Sequence, residues 1–212
     1  MSKQSFSDQV ITQFDRGLRT LTKASRHAQR SNPAEQFEEQ NLSEKEIQLS
    51  GRLMRVNHAG EVAAQGLYHG QALTAKNAAT LKQMQISAKE EEDHLAWCEQ
   101  RLNQLHTPRS LVGPIWYLGS YAIGATAGIF GDRWSLGFVA ETEDQVEAHL
   151  ENHLAKLPTQ DQKSRAIIEK MKQDEQHHGQ TARDLGGNPL PAPVQKTMHL
   201  VSKVMTTGAY WV

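Results

Sequence analysis

Apolar positions in this chain recur every three or four residues through four long stretches, and no window alternates cleanly with period two. That periodicity is the mark of helices that each bury one face. Ala, Leu, Glu, Gln and Lys dominate these stretches, while proline and glycine gather between them, as helix propensity requires. The pattern predicts helices over about 44–75, 78–105, 133–156 and 161–185. Ser43 with Glu46 three residues on reads as a capping box for the first. Thr107-Pro108, Pro158 and Gly186-Gly187-Asn188-Pro189 end the other three. Upstream, Asn32-Pro33 marks a break before a short helical patch near 34–40. Residues 1–43 are read as an N-terminal arm, partly helical, and residues 44–212 as one all-α four-helix bundle domain.

Two segments depart from the amphipathic rule. Leu111 to Gly131 is an uncharged run, long enough by the usual count of roughly 20 residues to span a bilayer. A crossing there would put the first two helices on the opposite side from the last two. The run is therefore expected to lie in a membrane interface, to re-enter, or to form a buried crossover between two helical hairpins; Pro114 and five glycines make it a poor spanning helix. Near the C-terminus, Val194, Met198, Val201, Val204 and Met205 recur at helical spacing among Lys196, His199 and Lys203, and Tyr210-Trp211 follow. This resembles a second membrane-contacting segment, 194–212.

Chemistry enters through polar residues on the apolar stripes. The fourth helix runs Ile168, Met171, Glu175, His178, Ala182, Leu185 along one face, and the second runs Met84, Ala88, Glu91, Leu95, Cys98, Leu102. Each holds a Glu-x-x-His, Glu91/His94 and Glu175/His178, nearly one turn apart. Buried carboxylates and imidazoles are costly unless paired or bound to metal. The other two helices each offer one more carboxylate: Glu61, followed on its face by Ala64 and Tyr68, and Glu143 among Leu136, Val139, Ala140, Val146 and Leu150.

Spacing tests whether the four glutamates can meet, since residues level in an antiparallel hairpin are equidistant from its turn. The midpoint of Glu61 and Glu91 is position 76, in Ala75-Lys76-Asn77; that of Glu143 and Glu175 is 159, in Pro158-Thr159-Gln160-Asp161. Both fall where turns are expected. A Glu from each of two helices with Glu-x-x-His from the other two is the di-iron or di-manganese carboxylate arrangement of ferritin-like bundles. Four carboxylate charges would balance two divalent ions, and the oxygen-rich shell suits iron or manganese. Ligating imidazoles commonly donate their other N–H to a carboxylate. On that ground Asp174 is expected to support His94, and Glu90 to support His178, across the core. Cys98 is read as a buried core thiol, and His58, His69, His149, His153 and His177 as surface or packing residues.

Composition narrows the partners. The 212 residues are 38% hydrophobic and 22% charged, with a formal net charge of −1, which supplies no pull towards the phosphates of a nucleic acid. A single cysteine excludes an intrachain disulfide and an attached rubredoxin-type cluster. Residues 1–31 carry Lys3, Arg16, Arg19, Lys23, Arg26 and Arg30, but Asp8 and Asp15 weaken a transit-peptide reading and no apolar signal core is present.

The segments RVNHAGEVAAQGLYHGQ, EEEDHLAWCEQRL, VAETEDQVEAHLENH and DEQHHGQTA, in this order and spacing, resemble the demethoxyubiquinone hydroxylases of ubiquinone biosynthesis over about residues 50–212. The resemblance implies two iron ions held by Glu61, Glu91, His94, Glu143, Glu175 and His178, with Glu91 and Glu175 bridging. It also implies O2-dependent hydroxylation of a polyprenylated 2-methyl-methoxy-benzoquinol, one oxygen atom going to the ring and the other to water. Peripheral membrane attachment would follow, expected on the cytoplasmic side of the cell membrane. The ring is then expected between helices beside Trp116, Tyr117, Tyr121 and Phe130; His149, two turns along from Glu143 and off its face, is a candidate for proton or electron transfer, although its position favours a surface or packing role. Prenyl length, reductant, partner proteins of the pathway and a homo-oligomer stay open. So do other classes that share such a core: another di-iron oxidase or tRNA hydroxylase, an iron-storage bundle, and a metal-free membrane scaffold.

Overall fold

The computed structural model describes residues 6–22 and 28–212; Lys3, Lys23 and Arg26 lie outside them. The described residues form α1 (Phe6–Leu21), a 3-10 turn (Pro33–Gln36), α2 (Glu44–Thr74), α3 (Ala78–Gln104), α4 (Gly113–Ile129), α5 (Asp132–Lys156), α6 (Gln162–Asp184) and α7 (Ala192–Trp211), with no strand among them. The helix limits expected from capping and proline signals fall within a residue or so of those observed. Ser43 accepts from the Glu46 amide while the Glu46 carboxylate takes the Ser43 N–H at 2.8 Å, which satisfies donors that the helix start would leave unpaired. Asn77 and Asp161 cap α3 and α6 in the same way.

The bundle consists of two antiparallel hairpins, α2/α3 and α5/α6, whose turns fall at 75–77 and 157–161. They pack through α3 against α6 and α2 against α5. Towards the turn of the second hairpin lies a cluster that includes Met54, Trp97, Leu102, Leu150, Ile168 and Met171; towards the turn of the first lies Tyr68, Met84, Leu136, Val139 and Ala182. The inward stripes read from sequence are buried with three exceptions: Ala64 and Val146 are half-buried, and Leu185 is exposed because α6 stops at Asp184 and Leu185 leaves its register.

The apolar run forms α4, which crosses between the hairpins while lying along α2. Its glycines serve that contact. A Cβ on Gly66 or Gly70 of α2 would stand 2.3 Å from Tyr117 O or 2.1 Å from Tyr121 O, and one on Gly124 of α4 would stand 2.2 Å from Leu67 O. Only missing side chains let the two backbones come so close. The opposite face of α4 is open: Ile115 and Leu118 are each 64% exposed and Phe130 73%. No helix of the described residues is long and apolar enough to cross a membrane.

Helix α7 lies over α2 and α5 and buries only Ala209 completely. Arg55 of α2 donates to Ala209 O (2.8 Å) and Tyr210 O (2.6 Å), and the Arg52 guanidinium stacks over Tyr210 and Trp211. Arg55 thus meets carbonyls that the end of that helix leaves unpaired, and both cations sit near its negative dipole end.

Candidate metal centre

The two hairpins bring the six sequence-derived residues together in the middle of the bundle. Glu61, Glu91, His94 and Glu175 form one group whose potential ligand atoms lie within 4.8 Å of one another, and Glu91, Glu143, Glu175 and His178 form a second. Glu91 and Glu175 belong to both, and all six side chains are buried.

Both imidazoles turn Nδ1 into this cluster. His94 Nδ1 is 2.8 Å from Glu91 Oε2 and 3.3 Å from Glu175 Oε1; His178 Nδ1 is 3.2 Å from Glu91 Oε1 and from Glu175 Oε2. Their Nε2 atoms point outward to carboxylates, His94 to Asp174 Oδ2 at 3.0 Å and His178 to Glu90 Oε2 at 2.5 Å. These are the cross-core pairings that the spacing suggested. An outward Nε2–H donated to a carboxylate leaves the inward Nδ1 lone pair free for a cation.

Without a cation, protons must balance the charge. Burial and the charge of Glu91 push the Glu61 carboxyl well above its usual range, and burial with the charges of Glu175 and Glu91 does the same to Glu143. Burial opposes a charge on either imidazole, but the surrounding carboxylates hold both well above the ordinary histidine range. Burial likewise opposes ionisation of Glu91, yet His94 and His178 outweigh it and hold that carboxyl low. One oxygen, Glu91 Oε1, is buried with His178 Nδ1 at 3.2 Å but forms no well-aligned hydrogen bond. A carboxylate shared by both groups with one oxygen poorly hydrogen-bonded, two inward Nδ1 atoms and two proton-holding carboxyls fits a pair of divalent cations.

Tyr68, one helical face along from Glu61, donates a short hydrogen bond to Glu143 Oε1 and sits edge-on to His178. Its spacing on the ligand face was visible in sequence; the partner across the bundle was not. Cys98 is buried and points its thiol at Met171 Sδ, 3.8 Å away.

A narrow cavity of about 50 Å³ reaches the carboxylates between α2, α5 and α7. Val56, Gly60 and Ala64, then Gln145, Val146 and His149, then Ser202, Met205 and Thr206 line it along with the glutamates. His149 is therefore off the ligand row yet on the cavity wall. Its ring lies 3.9 Å from that of His153, and burial lowers its pKa to about 4 and that of His153 to about 2, so both are neutral. His58, His69 and His153 are buried, and His177 is exposed.

The aromatic residues expected around a substrate ring do not line this cavity. Gly66 and Gly70 place α4 on the side of α2 turned away from the carboxylates. Trp116 packs with Val56, Ala59 and Ala209; Tyr117 packs with Val62 and Leu95 and meets His69 Nδ1 at 2.9 Å; Tyr121 stacks on Tyr117; Phe130 is exposed beside Trp134.

Against this geometry, residues 48–209 match the family model described as ubiquinone biosynthesis protein COQ7. The chain belongs to the COQ7 family. Among curated COQ7-family relatives, the 3-demethoxyubiquinol 3-hydroxylase of Nitrosococcus oceani is 54% identical over 97% of this chain and 96% of its own length. That of Acinetobacter baumannii is 54% identical over 96% of each chain, and that of Polynucleobacter necessarius 52% over 96% of this chain and 97% of its own.

Proposed function

We propose that this chain is a 3-demethoxyubiquinol hydroxylase of ubiquinone biosynthesis, working through a two-iron centre held by Glu61, Glu91, His94, Glu143, Glu175 and His178. The observation that carries the reading is the pair of ligand groups sharing Glu91 and Glu175, on a chain that matches relatives bearing that hydroxylase name over nearly its whole length. Two ferrous ions would supply the electrons and the Lewis acidity that activation of O2 demands.

The protein's own side chains do the rest. Glu91 and Glu175, which belong to both groups, would be shared between the two ions, while His94 and Glu61 would help to hold one and His178 and Glu143 the other. Tyr68 holds Glu143 in place by its hydrogen bond. His149 on the cavity wall, neutral and with its buried Nε2 unpartnered, is placed to take part in a hydrogen bond with a hydroxyl of the substrate ring. At about 50 Å³ the cavity is far below the roughly 300 Å³ at which ligand pockets begin. It is too narrow for a quinol ring as it stands, so the ring would enter where a wall gives way. Helix α7 is the wall with the least burial, since its one fully buried residue is Ala209; Arg52 and Arg55 hold its C-terminal end and a single bond from Gln145 to Gln195 O, at 3.3 Å, its N-terminal end.

A polyprenyl tail favours delivery from a lipid surface. The open face of α4, with Ile115, Leu118, Ile123 and Ile129, and the exposed Leu200, Val201, Val204 and Trp211 of α7 together form an apolar surface suited to peripheral attachment. Trp116, packed against Gly208 and Ala209, joins the two helices. We place that surface on the cytoplasmic face of the cell membrane.

The test is iron per chain after anaerobic loading, followed by O2 with and without a reduced demethoxyquinol. Near two irons with hydroxylated product is expected. Two irons with O2 consumed and no hydroxylated quinol would overturn the substrate and leave another oxidase; protein that takes up no iron would overturn the centre itself.

A further inference from the structure

The two halves of the centre repeat one another in sequence, yet among the described residues the N-terminal arm hydrogen-bonds only one of the two carboxylates that support its imidazoles. Residues 28–36 form a strap across the outer faces of α3 and α6. It is pinned at Gln29, whose backbone N–H donates to Asp93 Oδ1 (2.6 Å), and at Asn32, whose side-chain Nδ2 donates to Gln100 Oε1 (2.5 Å); the 3-10 turn that follows packs on α6. Between these pins Arg30 points inward. Its Nε donates to Asp93 Oδ2 and its Nη1 to Asp174 Oδ2, both at 2.7 Å, and the guanidinium lies 4.9 Å above the Trp97 ring, which itself lies 5.4 Å from the His94 ring.

The oxygen that Arg30 grips is the one that accepts from His94. Asp174 Oδ2 is divided between Arg30 Nη1 and His94 Nε2, while Lys170 holds Oδ1 at 2.6 Å. Its counterpart Glu90 gives Oε2 to His178 at 2.5 Å, and among the described residues no cation hydrogen-bonds that carboxylate. One supporting carboxylate is clamped by cations and shared; the other gives its side chain to its imidazole, and Arg30 reaches that residue only at the backbone oxygen, Nη2 to Glu90 O at 3.4 Å.

We propose that Arg30 is a positioning residue, which locks Asp174 against His94 and thereby makes the two metal positions unequal. A carboxylate that supports a ligating histidine sets both the ring's orientation and its strength as a donor. The arm thus tunes the position formed with Glu61 and His94, and leaves the position formed with Glu143 and His178 to Glu90. The inference rests on the two-metal reading above and deepens it.

Ferrous iron is titrated anaerobically into the full chain against a competing chelator, resolving two binding steps, with near-UV circular dichroism as a check on folding. R30Q is expected to weaken one step by about ten-fold, the low end of what loss of a ligand's supporting partner costs, and to leave the other within about two-fold. R30K, which keeps the charge but cannot fork between Asp93 and Asp174, is expected to fall between. D174N should weaken the same step, and adding R30Q to it should change little more; E90Q should weaken the other step, and its combination with R30Q should weaken both. Wild-type protein that binds two irons while R30Q binds them equally well, or loses both steps alike, overturns this inference alone. Wild-type protein that binds no iron overturns the metal centre and this inference with it.

Discussion

Loading the centre with metal should expel about four protons. In the metal-free bundle Glu61 and Glu143 hold protons because burial and neighbouring carboxylates raise them, and His94 and His178 hold theirs, despite burial, because carboxylates surround them. Two divalent ions need those carboxylates ionised and both Nδ1 lone pairs free, so one proton leaves each of the four groups. By linkage, the overall constant for taking up two ions then rises about 10⁴-fold per pH unit near neutrality, about 5.5 kcal/mol at roughly 1.36 kcal/mol for each proton. Calorimetric titration of manganese(II) at one pH in two buffers of different protonation enthalpy reads the count directly, and E61Q should lower it by about one. A count near zero would refute the charge balance drawn from the structure. The same shifts fix how the metal-free protein responds to pH. The four raised groups contribute stability at low pH that is lost as pH climbs above the ordinary carboxyl and histidine values, whereas lowered Glu91 contributes above its ordinary value and is lost in acid. The melting temperature of chelator-treated protein should therefore fall between about pH 6.5 and 8, the window in which unfolded histidine is already neutral, while that of loaded protein should not.

Other consequences are more local. Gly70→Ala forces a methyl to within 2.1 Å of Tyr121 O and should cost about 2 kcal/mol, or roughly 4–8 °C in Tm; Gly60→Ala, with nothing within 4 Å of its Cβ, should instead gain about 0.5–1 kcal/mol. Arg101→Met removes the partner of fully buried Asp161, which lies 2.8 Å away, and should cost about 3–5 kcal/mol in a denaturant melt. Met205→Trp fills the cavity and should cut kcat/KM for a quinol at least about ten-fold, some 1.4 kcal/mol, with iron content unchanged. Ile115→Glu with Leu118→Glu should weaken co-sedimentation with lipid vesicles and leave iron content as it was; unchanged vesicle binding would move the contact surface away from α4.

Local rules settled what local rules can reach in this chain. The capping box at Ser43, the prolines at 108 and 158 and the glycines at 186 and 187 set the helix ends, because capping and helix breaking act within one turn. Periodicity placed Glu91, His94, Glu175 and His178 on buried stripes, and equal distances from two turns brought Glu61 and Glu143 level with them. Where α4 would lie was beyond that reach: its glycines read as a weakness in a spanning segment, whereas Gly66, Gly70 and Gly124 are the places where two backbones meet. The course of α4 in turn carried Tyr117, Tyr121 and Phe130 away from the cavity, and α7 supplied its wall through Met205 and Thr206. Arg30 was one basic residue among several in the arm until the fold set it on Asp174, 144 positions away. Periodicity says which face a residue occupies on its own helix; which neighbour covers that face depends on crossing geometry and on where connecting segments pass, and these follow from packing over the whole chain.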